Sequence, residues 1–186
     1  PSKTFLYLAE LIYDTDKAAS MGIAFGKPQV DLAGMRDWKA RVIEKMATGL
    51  VSLADRRGVQ LLNGRAEFES SDSVRLYDSE VSRIKFRHAI LATGSRPIPF
   101  AGTDFKVGSK IMSSTGALAL ADIPDKLLVL GGGYVGLELG TVYAALGSRV
   151  TLVEFMDRLL PGVDQDLVKP LNKKLRAIFE SIHLKT

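Results

Sequence analysis

Leu127 to Glu154 reads LLVLGGGYVGLELGTVYAALGSRVTLVE, and the fold turns on this stretch. Leu127, Leu128, Val129 and Leu130 run without a polar interruption, which predicts a parallel strand covered on both faces. The glycines begin where that strand ends. Gly131 allows a tight turn, Gly133 lets backbone approach a diphosphate, and Gly136 lets the following helix lie close to the strand. A helix opening on such a turn presents unpaired N–H groups and the positive end of its dipole to an anion. Gly140 and Ala144 continue a small-residue side suited to packing on the sheet, Gly147 stops the helix, and RVTLVE supplies a second strand. Glu154 closes it about 20 residues beyond the glycines, where a carboxylate accepts hydrogen bonds from ribose hydroxyls. A 2′-phosphate there meets a like charge, so the pattern favours NAD over NADP unless Arg158 swings in. The expected NAD contacts are Gly131, Gly132, Gly133, Tyr134, Val135, Gly136, Glu138 and Glu154.

Upstream the period changes twice. Phe5, Leu8, Leu11 and Ile12 fall on one helical face over residues 2–20, with Gly22 as a stop. A longer helix is predicted from Leu32 to Arg57, N-capped by Asp31 and broken by Gly58. Its core stripe is Met35, Trp38, Val42, Met46, Leu50, Leu53 and Ala54, with Trp38 read as packing. Then come short β-rich runs, VQLLNG, RAEFES, SVRLYD and VSRIKFRHAILATGS, separated by turn residues. RPIPFAGTDFKVGSK reads as a linker, and SSTGALALADIP as a short helix begun by Ser114.

With 186 residues, 46% of them hydrophobic, the chain can bury a core. No apolar run approaches the roughly 18 residues a bilayer span needs, and the start lacks a signal pattern, so a soluble, cytoplasmic protein is expected, without a membrane role. The net charge of +4 comes from 25 basic residues interleaved with 21 acidic ones; that is a mixed solvated surface, not a nucleic-acid footprint. The absence of cysteine excludes disulfides, thiolate metal sites and thiol chemistry by this chain. Two distant histidines, His88 and His183, supply too few ligands for a metal, and both read as surface or strand-edge residues.

The glycine motif together with HAILATGSRP resembles the two-dinucleotide-binding-domain flavoprotein disulfide reductases. PSKTFLYLAEL, GIAFG, LATGSRPI, LGGGYVGLELGTVYAALGS and VEFMDRLLPGVDQDLVK are similar, more narrowly, to the dihydrolipoamide dehydrogenases, over essentially the whole chain. The resemblance implies an α/β fold of two Rossmann-like three-layer dinucleotide-binding domains, both incomplete, the first with a small antiparallel β-meander. It implies a partial FAD-binding domain over 1–110, including a strand through the Ala-Thr-Gly segment, a connector over 111–125, and the first part of an NAD-binding domain over 126–186. In that family PSK follows a Cys-x4-Cys redox pair, and a C-terminal dimerisation domain carries an acid–base His and Glu. None of these is in this sequence, which therefore looks like an internal fragment with no catalytic residue of its own.

The resemblance further implies FAD contacts at Lys3, Ala66, Thr93, Gly94, Ser95 and Glu138, with Lys3 beside the flavin and paired with Glu138. Read from the residues alone, Glu138 is also explained as a first-turn carboxylate of a helix, and Ala66 as a small residue in a crowded strand. Tyr134 either covers the nicotinamide position or packs as an ordinary aromatic. The parent reaction implied is oxidation of protein-bound dihydrolipoamide through a disulfide and FAD to NAD+, by a homodimer serving the lipoyl domains of a 2-oxo acid dehydrogenase complex. This chain is expected to be inactive, retaining weak NAD binding. A related reductase, a soluble transhydrogenase or a non-enzymatic nucleotide-binding module are the alternatives.

Overall fold

The computed structural model describes residues 1–106 and 108–186. In chain order its elements are α1 (Ser2–Ser20), α2 (Leu32–Arg56), β1 (Arg65–Phe68), β2 (Ser73–Tyr77), β3 (Arg83–Lys85), α3 (Ser114–Ala119), β4 (Lys126–Leu130), α4 (Tyr134–Ala145), β5 (Arg149–Glu154), α5 (Gln165–Ile178) and β6 (Ser181–Leu184). They fall into two units, Pro1–Ile43 with Pro97–Thr186, and Glu44–Arg96. Among the described residues no helix is long and apolar enough to cross a membrane.

Both early helices end as their glycines predict. Gly22 and Gly58 take φ of +88° and +65°, and each lets the next N–H return to a carbonyl in the last turn, Ile23 to Ala18 and Val59 to Ala54. Asp31 caps α2 by accepting from the Ala33 N–H at 2.9 Å. Trp38 is half-buried, its ring 6.1 Å from that of Tyr7. The predicted core stripe, however, holds only at its start. Met46 and Leu50 are each 67% exposed, because none of the described elements of the second unit covers that part of the helix.

In the second unit β1, β2 and β3 form an antiparallel meander in that order, with Ala66 opposite Leu76 and Val74 opposite Ile84. Glu69 accepts from both Arg75 and Arg83 beside it. The expected strands at VQLLNG and through HAILATGS do not form. A strand exists only where a neighbour completes its ladder, and no described strand lies alongside residues 86–100, where Ile90 is 94% exposed.

In the first unit β4, β5 and β6 form a parallel sheet in sequence order, with Val129 opposite Leu152 and Leu152 opposite Ile182. Two right-handed crossovers advancing in one direction put α4 and α5 on one face. That face holds the core: Val150 and Leu152 are fully buried, with Leu137, Val142 and Tyr143 from α4 and Val168 and Leu175 from α5. Helix α1 packs against α4. Among the described residues nothing covers the other face, which corrects two expectations. Leu128 and Leu130 are 58% and 59% exposed, so β4 is not covered on both sides, and the described layers are helices on one face of the sheet, not three layers.

The short helix α3 starts at Ser114, as expected, and is N-capped by Ser113, whose Oγ accepts from the Gly116 N–H at 3.2 Å. Three carbonyls at its end are engaged: Ala117 O by the Tyr143 hydroxyl at 3.0 Å, Leu118 O by Lys39 Nζ at 2.7 Å, and Leu120 O by Arg36 Nη1 at 2.8 Å. Two cations thus sit at the negative end of the helix.

Candidate functional site

Strand β4 delivers the chain into its glycine turn at the carboxyl end of the sheet. Gly131 has φ +102°, which an L side chain rarely adopts, and its N–H donates to Val153 O at 2.8 Å. Gly132 donates its N–H to Glu154 Oε2 at 2.5 Å and accepts at its carbonyl from the Leu160 N–H at 3.1 Å. A Cβ at Gly132 would stand 2.6 Å from Leu159 Cδ2, and one at Gly136 would stand 2.5 Å from Gly131 O and 3.0 Å from Val129 Cγ1. Both glycines are therefore packing requirements. Gly133 differs. It is the N-cap of α4, nothing lies within 4 Å of where its Cβ would be, and its N–H has no acceptor among the described residues. Gly140 makes its close approach to the Phe179 ring at the end of α5, 2.8 Å from a built Cβ, and not to the sheet as expected.

Glu154, 8% exposed, sits at the carboxyl end of β5 with one carboxylate oxygen on Gly132 and the other accepting from the Met156 N–H at 2.7 Å. Two N–H bonds leave lone pairs unused, since an ionised carboxylate offers about four acceptor positions. Arg158 forms no ion pair among the described residues.

On the neighbouring helix, Lys3 at the start of α1 forms an ion pair with Glu138. Glu138 is the fifth residue of α4, which has no acid in its first turn, so the helix dipole does not account for it and the partner on α1 does. Tyr134 opens α4 and is 69% exposed, which removes its reading as a packed aromatic. It borders a groove of about 280 Å3 with Leu6, Glu138, Thr141 and Leu171. Tyr13 on α1 donates toward Thr141 O at 3.5 Å; burial, helped by Asp16, pushes its phenol up to about 12. Burial and then Asp122 raise the Tyr143 phenol in the same direction.

The structure thus gathers Gly131, Gly132, Gly133, Gly136 and Glu154 at one turn, with Tyr134 and Val135 opening the helix above it, and joins Lys3 to Glu138. Ala66, Thr93, Gly94 and Ser95 belong to the second unit, where all four are exposed and Gly94 has φ +74°. His183 is exposed and bonded to Ser181 at 3.1 Å. Sequence reasoning missed Leu159 and Leu160, which hold Gly132 from below. The one signal for a special backbone there was Pro161-Gly162, a turn pair.

The profile of the pyridine nucleotide-disulphide oxidoreductase family matches residues 3–184. The chain is 44% identical over 171 residues to dihydrolipoyl dehydrogenase 2 of Haloarcula marismortui, covering 90% of this chain and 36% of that protein. It is 39% identical over 183 residues to the dihydrolipoyl dehydrogenase of Vibrio parahaemolyticus, covering 97% and 38%. Among solved structures, the HOCl-induced flavoprotein disulfide reductase RclA of Escherichia coli superimposes with a TM-score of 0.75 at 25% identity, covering all of this chain and 39% of RclA. LpdA of Mycobacterium tuberculosis has the same fold, with a TM-score of 0.82 at 23% identity over 100% of this chain and 41% of LpdA. The chain spans well under half the length of each of these relatives.

Proposed function

The chain belongs to the pyridine nucleotide-disulphide oxidoreductase family, and on that premise we propose that it is the part of a dihydrolipoyl dehydrogenase that seats NAD against a flavin. The observation that carries this reading is the Gly133 N–H, without an acceptor among the described residues at the N-terminus of α4, one residue from the amide that Glu154 grips and beside a position open enough to take a Cβ. Such an arrangement suits a dinucleotide: diphosphate oxygens accept from the turn and the first helical N–H groups, and ribose hydroxyls reach the remaining lone pairs of Glu154. The buried carboxylate also disfavours a 2′-phosphate, hence NAD over NADP.

In this reading residues 1–110 contribute to an FAD-binding domain through Lys3, Ala66, Thr93, Gly94, Ser95 and Glu138, and residues 126–186 begin the NAD-binding domain. When bound, flavin and nicotinamide supply the hydride chemistry. The chain's own residues bind and orient: Lys3 and Glu138 set the charge on the flavin side, and Tyr134, exposed at the helix start, covers the nicotinamide. With no cysteine, this chain supplies no thiol for exchange with dihydrolipoamide, so it has no turnover by itself. Homodimerisation and contact with lipoyl domains of a 2-oxo acid dehydrogenase complex are assigned to the parent enzyme.

Calorimetric titration of the chain with NAD+ and NADP+ tests the reading. Weak, saturable NAD+ binding, weaker for NADP+ and lost on Glu154→Ala, is expected. Equal or tighter binding of NADP+ sinks the assignment.

A further inference from the structure

The loop after β5 returns to the glycine turn by a route the dinucleotide motif does not require. Leu159 is 2% exposed and its Cδ2 occupies the space under Gly132. Leu160 holds φ at +48°, costly for a bulky side chain, and its N–H donates to Gly132 O at 3.1 Å, while its own carbonyl accepts from Val163 at 2.9 Å. Gly132 is therefore gripped on both sides, at its N–H by Glu154 and at its carbonyl by Leu160.

The consequence follows from peptide geometry. The unit joining Gly132 to Gly133 is planar and trans, so its C=O and N–H point in opposite directions. Fixing Gly132 O on the Leu160 N–H therefore aims the Gly133 N–H away from the loop, and the space where a Gly133 Cβ would stand is open. We propose that Leu159 and Leu160 are positioning residues: a strained strap that presets the Gly133 N–H for a diphosphate before the ligand arrives. This rests on the dinucleotide reading and adds to it a loop that touches no ligand. Preorganisation of this kind raises affinity by removing an ordering cost. The left-handed backbone at Leu160 is maintained because Leu159 anchors the loop in the core.

The test compares ADP-ribose, which carries the diphosphate, with adenosine, which does not, by NMR titration of the chain and its variants. Leu159→Ala and Leu160→Val are expected to lose about tenfold in ADP-ribose affinity while adenosine affinity moves less than about twofold. Leu160→Gly, which accepts the left-handed backbone, stays within about twofold for both. Equal losses for both ligands make the strap mere structural support and overturn the proposal, as does unchanged ADP-ribose binding. Hydrogen exchange on the unaltered chain gives a readout that needs no variant: the Leu160 amide must exchange slowly, and the Gly133 amide fast until ADP-ribose is added. Fast exchange at Leu160 overturns the strap even if the variants do not fold. No ADP-ribose binding by the unaltered chain sinks the dinucleotide reading itself, a different failure from binding that ignores the strap.

Discussion

Lys3 and Glu138 lie 135 positions apart in the sequence and form an ion pair that ties the start of α1 to α4. The Lys3 side chain is 77% exposed and that of Glu138 is 22% exposed, so solvent screens the attraction. A double-mutant cycle with Lys3→Met and Glu138→Gln should return a coupling of about 0.5 kcal/mol, shrinking in high salt. A coupling unaffected by salt would show that the pair is not solvent-screened.

Glu154 should matter for folding before it matters for ligand. Glu154→Ala leaves the N–H groups of Gly132 and Met156 without their acceptor at a buried position, at a cost of about 2–4 kcal/mol in urea unfolding. Glu154→Gln, which keeps one carbonyl oxygen, should fall between. If Glu154→Ala unfolds at the same urea concentration as the unaltered chain, those two bonds contribute nothing.

The glycines separate by what surrounds them. Gly136→Ala and Gly132→Ala each force a methyl to within 2.6 Å of existing atoms and should destabilise by about 1–3 kcal/mol. Gly133→Ala meets nothing and has no positive φ to lose. Its melting temperature should hold while NAD affinity falls, because on the proposed reading the methyl would stand where the diphosphate lies. A loss of stability at Gly133 equal to that at Gly136 would contradict the geometry.

Alkaline pH provides a further check. Tyr13 is raised from 10.0 to about 12 and Tyr143 is raised in the same sense. The folded state then holds phenol protons that the unfolded chain has released, so stability is fully present below pH 10 and declines as pH climbs toward about 12. Urea midpoints measured across that range should fall, and the fall should be shallower in Tyr13→Phe and Tyr143→Phe. A flat profile would mean that neither hydroxyl feels its burial.

What the sequence revealed was local. The turn at Gly131, the helix behind it, the second strand and the terminal acid follow from spacing alone, because each is set by residues within a few positions of one another. Burial did not follow. Four aliphatic residues at 127–130 look the same whether a sheet is covered on one face or two, and only the placement of both crossovers decides that Leu128 and Leu130 stay open. The Ala92-Thr93-Gly94 segment shows the same limit, since a ladder needs a partner that periodicity cannot supply. At the site, Gly133 at the start of the helix and Glu154 at the strand end were legible. Its bonds to Gly132 and Met156, and the support from Leu159 and Leu160, were not, because they are long-range contacts specified by packing.

Three clamps on α3 decide where this chain should wear. Tyr143, Lys39 and Arg36 tie the end of that helix to α4 and α2, so this short connecting helix is bolted down, and a protease must break two helices' worth of packing to reach it. Residues 87–99 have no such restraint among the described residues, with Ile90 and Ile98 almost wholly in solvent. Limited digestion should nick there first, leaving the glycine turn and its strap in the surviving piece.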